Sequence, residues 1–369
     1  MRLAFFVLSV CIMFVQLNVS ASSLSAQSAV LYEPVTKRVL IEKNKDEKRG
    51  IASTTKIVTA ITAIENGNLN DVVTVSKKAA DVEGSSVWLE EGEKQTLENL
   101  LYGLMLSSGN DAAIAIAEHI SGTTEKFATL MNETAQKANA VNSMFKNPNG
   151  LDEEGHFSTA SDLARITAYA MENQKFKEIV STKTKTIPWE GHPWDRTLKN
   201  HNKLLSLYEG VDGVKTGFTK KCGRCLVSSA TKEGVRLIAV TLGAPDDWED
   251  HRKMLDYGFS VLKNRCVAKA GDIIAKTFIE KGVLNTVRLT AKNDIYIPAL
   301  EKDEIEIKTN FASNISAPVS KGDALGYAQV FLNGNFIMEA PLVAAENIEE
   351  LYIPTFFDNF KFIIKSIFC

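Results

Sequence analysis

Ile51-Ala52-Ser53-Thr54-Thr55-Lys56, running without a break into Ile57-Val58-Thr59-Ala60-Ile61-Thr62-Ala63-Ile64-Glu65, organises the rest of this chain. Apolar residues at 57, 58, 60, 61 and 64 recur at helical spacing, and Asn66-Gly67-Asn68 supplies the glycine that commonly ends a helix. Ser53 is therefore expected at or just inside a helix N-terminus, with Lys56 one turn above it. Residues three apart share a helix face, so the lysine amine can reach the serine oxygen. A serine hydroxyl is a weak nucleophile without a base, and a lysine desolvated beside other cations is pushed toward the neutral form that can serve. The free N–H groups of the same helix end favour an oxyanion or a carboxylate. One segment thus offers nucleophile, base and part of an oxyanion hole. Ser-x-x-Lys alone is common by chance, and a serine before an apolar helix is an ordinary cap, so the reading needs further motifs.

The chain has 369 residues, room for two domains with proper cores, and its net charge of -3 gives no reason to expect a nucleic-acid partner. Arg2, the apolar run from Leu3 to Val15 and the small-residue sites Val19-Ser20-Ala21 and Leu24-Ser25-Ala26 read as a secretory signal peptide over residues 1–26. The chain is therefore expected to be exported. At the other end, Phe356, Phe357, Phe360, Ile363, Ile364, Ile367 and Phe368 line one face of a helix, with Lys361 and Lys365 on the other. That segment, within residues 351–369, is too short to span a bilayer and reads as an amphipathic helix lying on a membrane surface. Cys222 and Cys225 form a C-x-x-C without the second pair that a zinc site needs; no metal and no cofactor is expected.

Ser28 to Glu33 and Arg38 to Glu42 read as two strands around a Pro34-Lys37 turn, and their sheet partners are sought far away, in Arg224–Ala230 and Arg236–Gly243. Between them, 97–106, 112–120, 127–140 and 163–171 carry helical periodicity. This predicts one α/β domain over residues 27–262 whose sheet closes late. Past Leu262, short strands near 287–289, 295–297 and 305–308, and a hairpin on Asn333-Gly334, predict a small all-β domain over 263–350.

Two more motifs join the first. Leu106-Ser107-Ser108-Gly109-Asn110-Asp111-Ala112 interrupts a helical run, placing a hydroxyl and an amide in a connection. Val211-Asp212-Gly213-Val214-Lys215-Thr216-Gly217-Phe218-Thr219 reads as an edge strand in which Gly217 admits a close backbone or ligand. Ser-x-x-Lys, Ser-x-Asn and Lys-Thr-Gly, in that order on a helix, a loop and a late strand, form a specific combination. By these motifs, and by Asn147–Asp152 and His156–Ala160, the chain resembles the penicillin-recognising serine enzymes. It looks most like the D-alanyl-D-alanine carboxypeptidases among the low-molecular-mass penicillin-binding proteins. The resemblance covers nearly the whole chain after the leader.

It implies a β-lactamase/transpeptidase-like catalytic domain, an antiparallel sheet flanked by helices, with the β domain and tail helix behind it. It also implies roles. Ser53 would attack the carbonyl between the last two D-alanines of a peptidoglycan stem peptide, Lys56 would be its base, and Ser108 would relay a proton to the leaving amine. Asn110 would hold the substrate amide, Lys215 would add positive field, and Thr216 would bind the terminal carboxylate. The N–H groups of Ser53 and Phe218, beside Gly217, would form the oxyanion hole. β-Lactams are the expected covalent inhibitors. Relatives carry an arginine after the late strands for the carboxylate; here the first there is Arg252, with Arg236 the other candidate, and His201 stands where relatives have arginine. Two other readings compete: a serine β-lactamase, which would need a deacylating glutamate such as Glu153 or Glu154, and a non-catalytic wall-binding protein. A Ser-His-Asp hydrolase lacks its Gly-x-Ser-x-Gly elbow.

Overall fold

The computed structural model describes residues 21–352. The chain divides between Val261 and Leu262 into two compact units. The first opens with the 3₁₀ turn Ala21–Ser23, β1 (Ser28–Glu33) and β2 (Arg38–Lys43), then the 3₁₀ turn Ala52–Thr55 and helix α1 (Lys56–Asn66). There follow β3 (Val72–Thr74), α2 (Lys77–Ala80), β4 (Lys94–Thr96), α3 (Leu97–Leu106), α4 (Asn110–Ser121), α5 (Thr124–Lys137), α6 (Ala160–Ala170) and α7 (Gln174–Ser181). The unit ends with β5 (Thr184–Ile187), β6 (Arg196–Lys199), α8 (Leu204–Leu207), β7 (Val211–Thr219), β8 (Gly223–Lys232), β9 (Val235–Leu242) and α9 (Asp247–Val261). Side chains of Thr96, Thr123, Thr159 and Asn173 accept from backbone N–H groups at the starts of α3, α5, α6 and α7, which fixes where each helix begins.

The main sheet has the order β2-β1-β9-β8-β7, every pair antiparallel. The early strand pair does find its partners late: Val30 faces Val240 and Leu31 faces Ala239. β7 is left at one edge, as expected of the strand carrying Lys215. β8 and β9 are buried along most of their length; β9 is largely apolar, while β8 also buries Ser228 and Ser229. Helix α1 is buried from Lys56 to Ala63 amid α3, α4, α5 and α6, so the end bearing Ser53 is anchored by the core itself.

Ahead of β1, Leu24 and Ala26 are buried. Ser25 N and Ala26 N each donate to the buried Asp250 carboxylate at 2.9 Å, and Lys43 Nζ donates to Leu24 O at 2.7 Å. The packed chain begins by Leu24. The apolar run and the tail helix from Phe356 onward lie outside the described residues. Among the described residues no helix is long and apolar enough to cross a membrane.

The second unit adds β10 (Lys263–Ala268), β11 (Ile273–Phe278), β12 (Thr286–Ala291), β13 (Ile295–Ala299), β14 (Ile305–Phe311), β15 (Ala324–Leu332) and β16 (Asn335–Ala344). Five of these strands make an antiparallel sheet, β11-β12-β16-β15-β14, while β10 pairs with β13. The β15–β16 hairpin turns on Asn333 and Gly334, both at positive φ (50° and 79°), as an Asn-Gly two-residue loop requires. β10 and β11 carry no clean alternation in sequence because most of their side chains are only partly buried or exposed.

Candidate active site

Ala52 has φ 46°, a left-handed conformation that is costly for a residue with a Cβ, and it bends the chain into the 3₁₀ turn that carries Ser53. α1 proper begins only at Lys56. Gly150, at φ 85°, abuts that corner so closely that a Cβ there would lie 2.1 Å from Ala52 O. On the other side, a Cβ at Gly217 would stand 3.0 Å from Ser53 N and 3.1 Å from Thr54 N, so β7 runs directly alongside the turn. Two glycines thus permit three distant segments to meet at Ser53.

Lys56 Nζ lies 3.0 Å from Ser53 Oγ, 2.7 Å from Asn110 Oδ1 and 2.6 Å from Asn149 O. The side chain is fully buried, and its pKa is held well below 10.5, first by desolvation and then by the charge of Lys215, with Asp111 opposing. A neutral amine has two hydrogens and one lone pair. In that form the two carbonyl-type oxygens would take the hydrogens and leave the lone pair for the serine hydroxyl, whereas an ammonium would donate to all three oxygens.

Lys215 is also buried, donating to Thr216 O at 2.9 Å, and desolvation lowers its pKa to about 7. Its folded pKa lies below the ordinary 10.5, so between those values the unfolded chain binds more protons and stability rises with pH. Below about 7 the penalty of burying the ammonium, of order 5 kcal/mol, is fully present. Such a cost, next to a second buried lysine, marks a site kept for chemistry and not for stability.

Ser53 opens onto a cleft of about 310 Å³, shared with Ser108, His201, Thr216, Gly217 and Phe218. Ser108 is held at φ 62° in the loop between α3 and α4. Asn110 ties the Lys56 amine to the loop before it. Its side chain is buried, its oxygen accepts from Lys56 and its Nδ2 donates to Glu83 O at 2.7 Å. Phe218 is largely exposed at the rim, and His201 stands at the cleft wall, its pKa lowered by burial and by Lys215.

Neither of the two candidate arginines is among the residues lining the cleft: Arg252 pairs with Glu249 and Asp256, and Arg236 with Asp212 and Ser229. The arginine that lines the cleft is Arg224 of β8, directly across the ladder from Phe218. Its Nε and Nη2 donate to Asp247 Oδ1 at 3.0 and 2.8 Å, and its guanidinium lies 5.8 Å from the Trp248 ring centroid. The register of the β7–β8 hairpin places it there.

Glu153 and Glu154 are exposed and border a different hollow, beside Arg49 and Phe157. Asp247 is the carboxylate lining the cleft, and Arg224 neutralises it. Cys222, half-buried, donates to Asp152 Oδ1 at 3.2 Å, and Cys225 is buried; both are free thiols.

Residues 15–246 match the family model described as D-alanyl-D-alanine carboxypeptidase, and residues 263–350 match that of the penicillin-binding protein 5 C-terminal domain. The chain is 36% identical over 347 residues to D-alanyl-D-alanine carboxypeptidase DacF of Bacillus subtilis, covering 90% of this chain and 88% of that one. It is 33% identical to DacC of Escherichia coli, covering 90% of this chain and 86% of that one. Penicillin-binding protein 5 of Haemophilus influenzae superposes with a TM-score of 0.68 at 30% identity, over 90% of this chain and all of that one. A peptidoglycan synthesis regulatory factor (PBP3) of Streptococcus pneumoniae gives 0.77 at 25% identity, over 89% of this chain and 100% of that one. With its serine, paired lysines and edge strand assembled as described, the chain belongs to the D-alanyl-D-alanine carboxypeptidase family of penicillin-binding proteins.

Proposed function

We propose that the carboxypeptidase activity of the family runs in this chain through a proton held between Ser53 and Lys56. The observation that carries this reading is the Lys56 amine, buried, driven toward neutrality, and fixed by two oxygens with its remaining valence toward Ser53. Ser53 Oγ attacks the carbonyl of the penultimate D-alanine as Lys56 Nζ takes its proton. The N–H groups of Ser53 and Phe218 hold the oxyanion, a contribution of about 3 kcal/mol per donor. Ser108 relays to the departing amine the proton that Lys56 took, D-alanine leaves, and water then hydrolyses the Ser53 ester, its proton passing by way of Lys56 back to Ser53 Oγ. Lys215, Thr216 and Arg224 bind the terminal carboxylate. Asn110 positions Lys56 and has one amide hydrogen left to offer the substrate carbonyl. In a β-lactam the leaving amine stays tethered to the acyl group, which blocks the approach of water.

The reaction needs opposite states of the two lysines. Lys56 must be neutral to accept a proton, so activity rises with pH as it deprotonates. Lys215 must be charged to hold the carboxylate, so kcat/KM falls as pH passes about 7 in the free enzyme. Lys215→Arg keeps its charge throughout this range and should move the alkaline limb upward. A limb unmoved by that change contradicts the assignment.

We also infer export and attachment to the outer face of the cytoplasmic membrane. The apolar N-terminal run supports a leader, and the burial of Leu24 and Ala26 favours cleavage after Ala21 over cleavage after Ala26. The apolar face from Phe356 to Phe368, with Lys361 and Lys365 opposite, supports surface attachment. The chain should cosediment with vesicles containing anionic lipid, and one truncated after Tyr352 should stay in solution; equal sedimentation of both removes the tail from the account.

A further inference from the structure

Beyond Ser85 and His201 the catalytic cleft continues into a second hollow of about 330 Å³. Its walls include Ser86, Trp88, Arg196 and Thr197. Trp88 is 74% exposed, and its backbone is left-handed at φ 61°, a conformation unfavourable for a bulky side chain. Exposed aromatics in strained backbone ordinarily relax unless the surroundings prevent it.

Here the surroundings do prevent it. Val87 N and Leu89 N donate to the buried Asp111 carboxylate at 3.0 and 3.1 Å, and Ser86 Oγ donates to it at 2.5 Å. Trp88 N donates in turn to Ser86 Oγ at 2.8 Å, and Arg196 Nη2 donates to Trp88 O at 2.8 Å. Asp111 and Arg196 are both buried, and Arg196 is neutralised by Glu93 at 2.8 Å. A buried carboxylate, a buried arginine and a serine together hold an indole out in water. Asp111 also follows Asn110 in sequence, so the indole and the Lys56 network are fixed to the same helix start.

The chemistry of the hollow selects its occupant. The indole gives a flat apolar face, and Ser85, Ser86 and Thr197 give hydroxyls. Arg196, the cation on its wall, is already paired, so nothing there calls for an anion. A neutral ring with C–H groups on its face and hydroxyls or amides at its edge fits: an N-acetylated sugar. A stem peptide seated at Ser53 is covalently joined to such a sugar, and the hollow is continuous with the cleft that seats it.

We propose that Trp88 is a stacking platform for a sugar ring of the glycan strand, extending recognition from the stem peptide to the saccharide that bears it. The proposal rests on the carboxypeptidase reading above. Its test compares kcat/KM for two substrates, a disaccharide-pentapeptide and the same pentapeptide without sugar. Trp88→Ala should lower the value for the first by about tenfold, the weight of one good aromatic contact, and leave the second within about twofold. Trp88→Tyr should restore most of the loss. Equal effects on both substrates, or none on either, overturn the proposal. If the unsubstituted enzyme cleaves neither substrate, the carboxypeptidase reading fails instead.

Discussion

Replacement of Lys56 by methionine lowers the rate of D-alanine release, and the rate of acylation by penicillin, by at least about a thousandfold while the protein stays folded. Methionine fills similar volume without an amine, so Ser53 Oγ loses the acceptor that stands 3.0 Å away. Folding should survive because a buried, neutral-leaning lysine contributes little stability, and its loss removes a desolvation penalty. Against that gain, Asn110 Oδ1 and Asn149 O lose a donor, at about 1 to 3 kcal/mol each. Acylation followed with a fluorescent penicillin, alongside far-ultraviolet circular dichroism, separates the two effects. A variant that acylates within tenfold of the parent would assign the base elsewhere.

Gly150→Ala carries the second large effect, and it acts on the fold before the chemistry. The new methyl would have to sit 2.1 Å from Ala52 O and 2.9 Å from Thr55 Oγ1, at a φ of 85° that alanine rarely adopts. Left-handed strain and overpacking together cost about 3 to 5 kcal/mol. In a unit of this size that lowers the melting temperature by about 10 °C. Because Asn149 O anchors Lys56 and Ala52 positions Ser53, activity should fall further than stability alone explains. Thermal melting and D-alanine release at low temperature read the two losses; an alanine variant melting within about 2 °C of the parent contradicts the packing described.

What could be read in advance follows the range of the interactions. Ser53 and Lys56 are one helical turn apart, so their meeting is local geometry, and the break at Ser107–Asn110 announces itself by turn residues. Lys215 was placed on an edge strand by its alternation, and β7 is such an edge. The late closure of the sheet was legible because β1, β8 and β9 are apolar enough to demand burial. Arg224 escaped because a hairpin register, and not a sequence spacing, brings it to the cleft. Asn149 O and Glu83 O escaped because a backbone carbonyl leaves no mark on a side-chain motif. Leu24 to Ala26 show no pattern of their own, since the residues that tie them to the folded chain, Asp250 and Lys43, are distant in sequence. α9 was missed for its acidic start, Asp247, Glu249 and Asp250, residues that suit a helix N-terminus but hide the buried Met254 and Leu255 behind them.

The central claim is that Ser53 is the atom donor of the covalent bond. Intact-mass measurement of the protein after exposure to benzylpenicillin, with the adduct then located by proteolysis, tests it most directly. The account predicts a single added penicilloyl mass carried by the peptide containing Ser53. An adduct carried by Ser108 or any other residue, or no adduct at all, would contradict it.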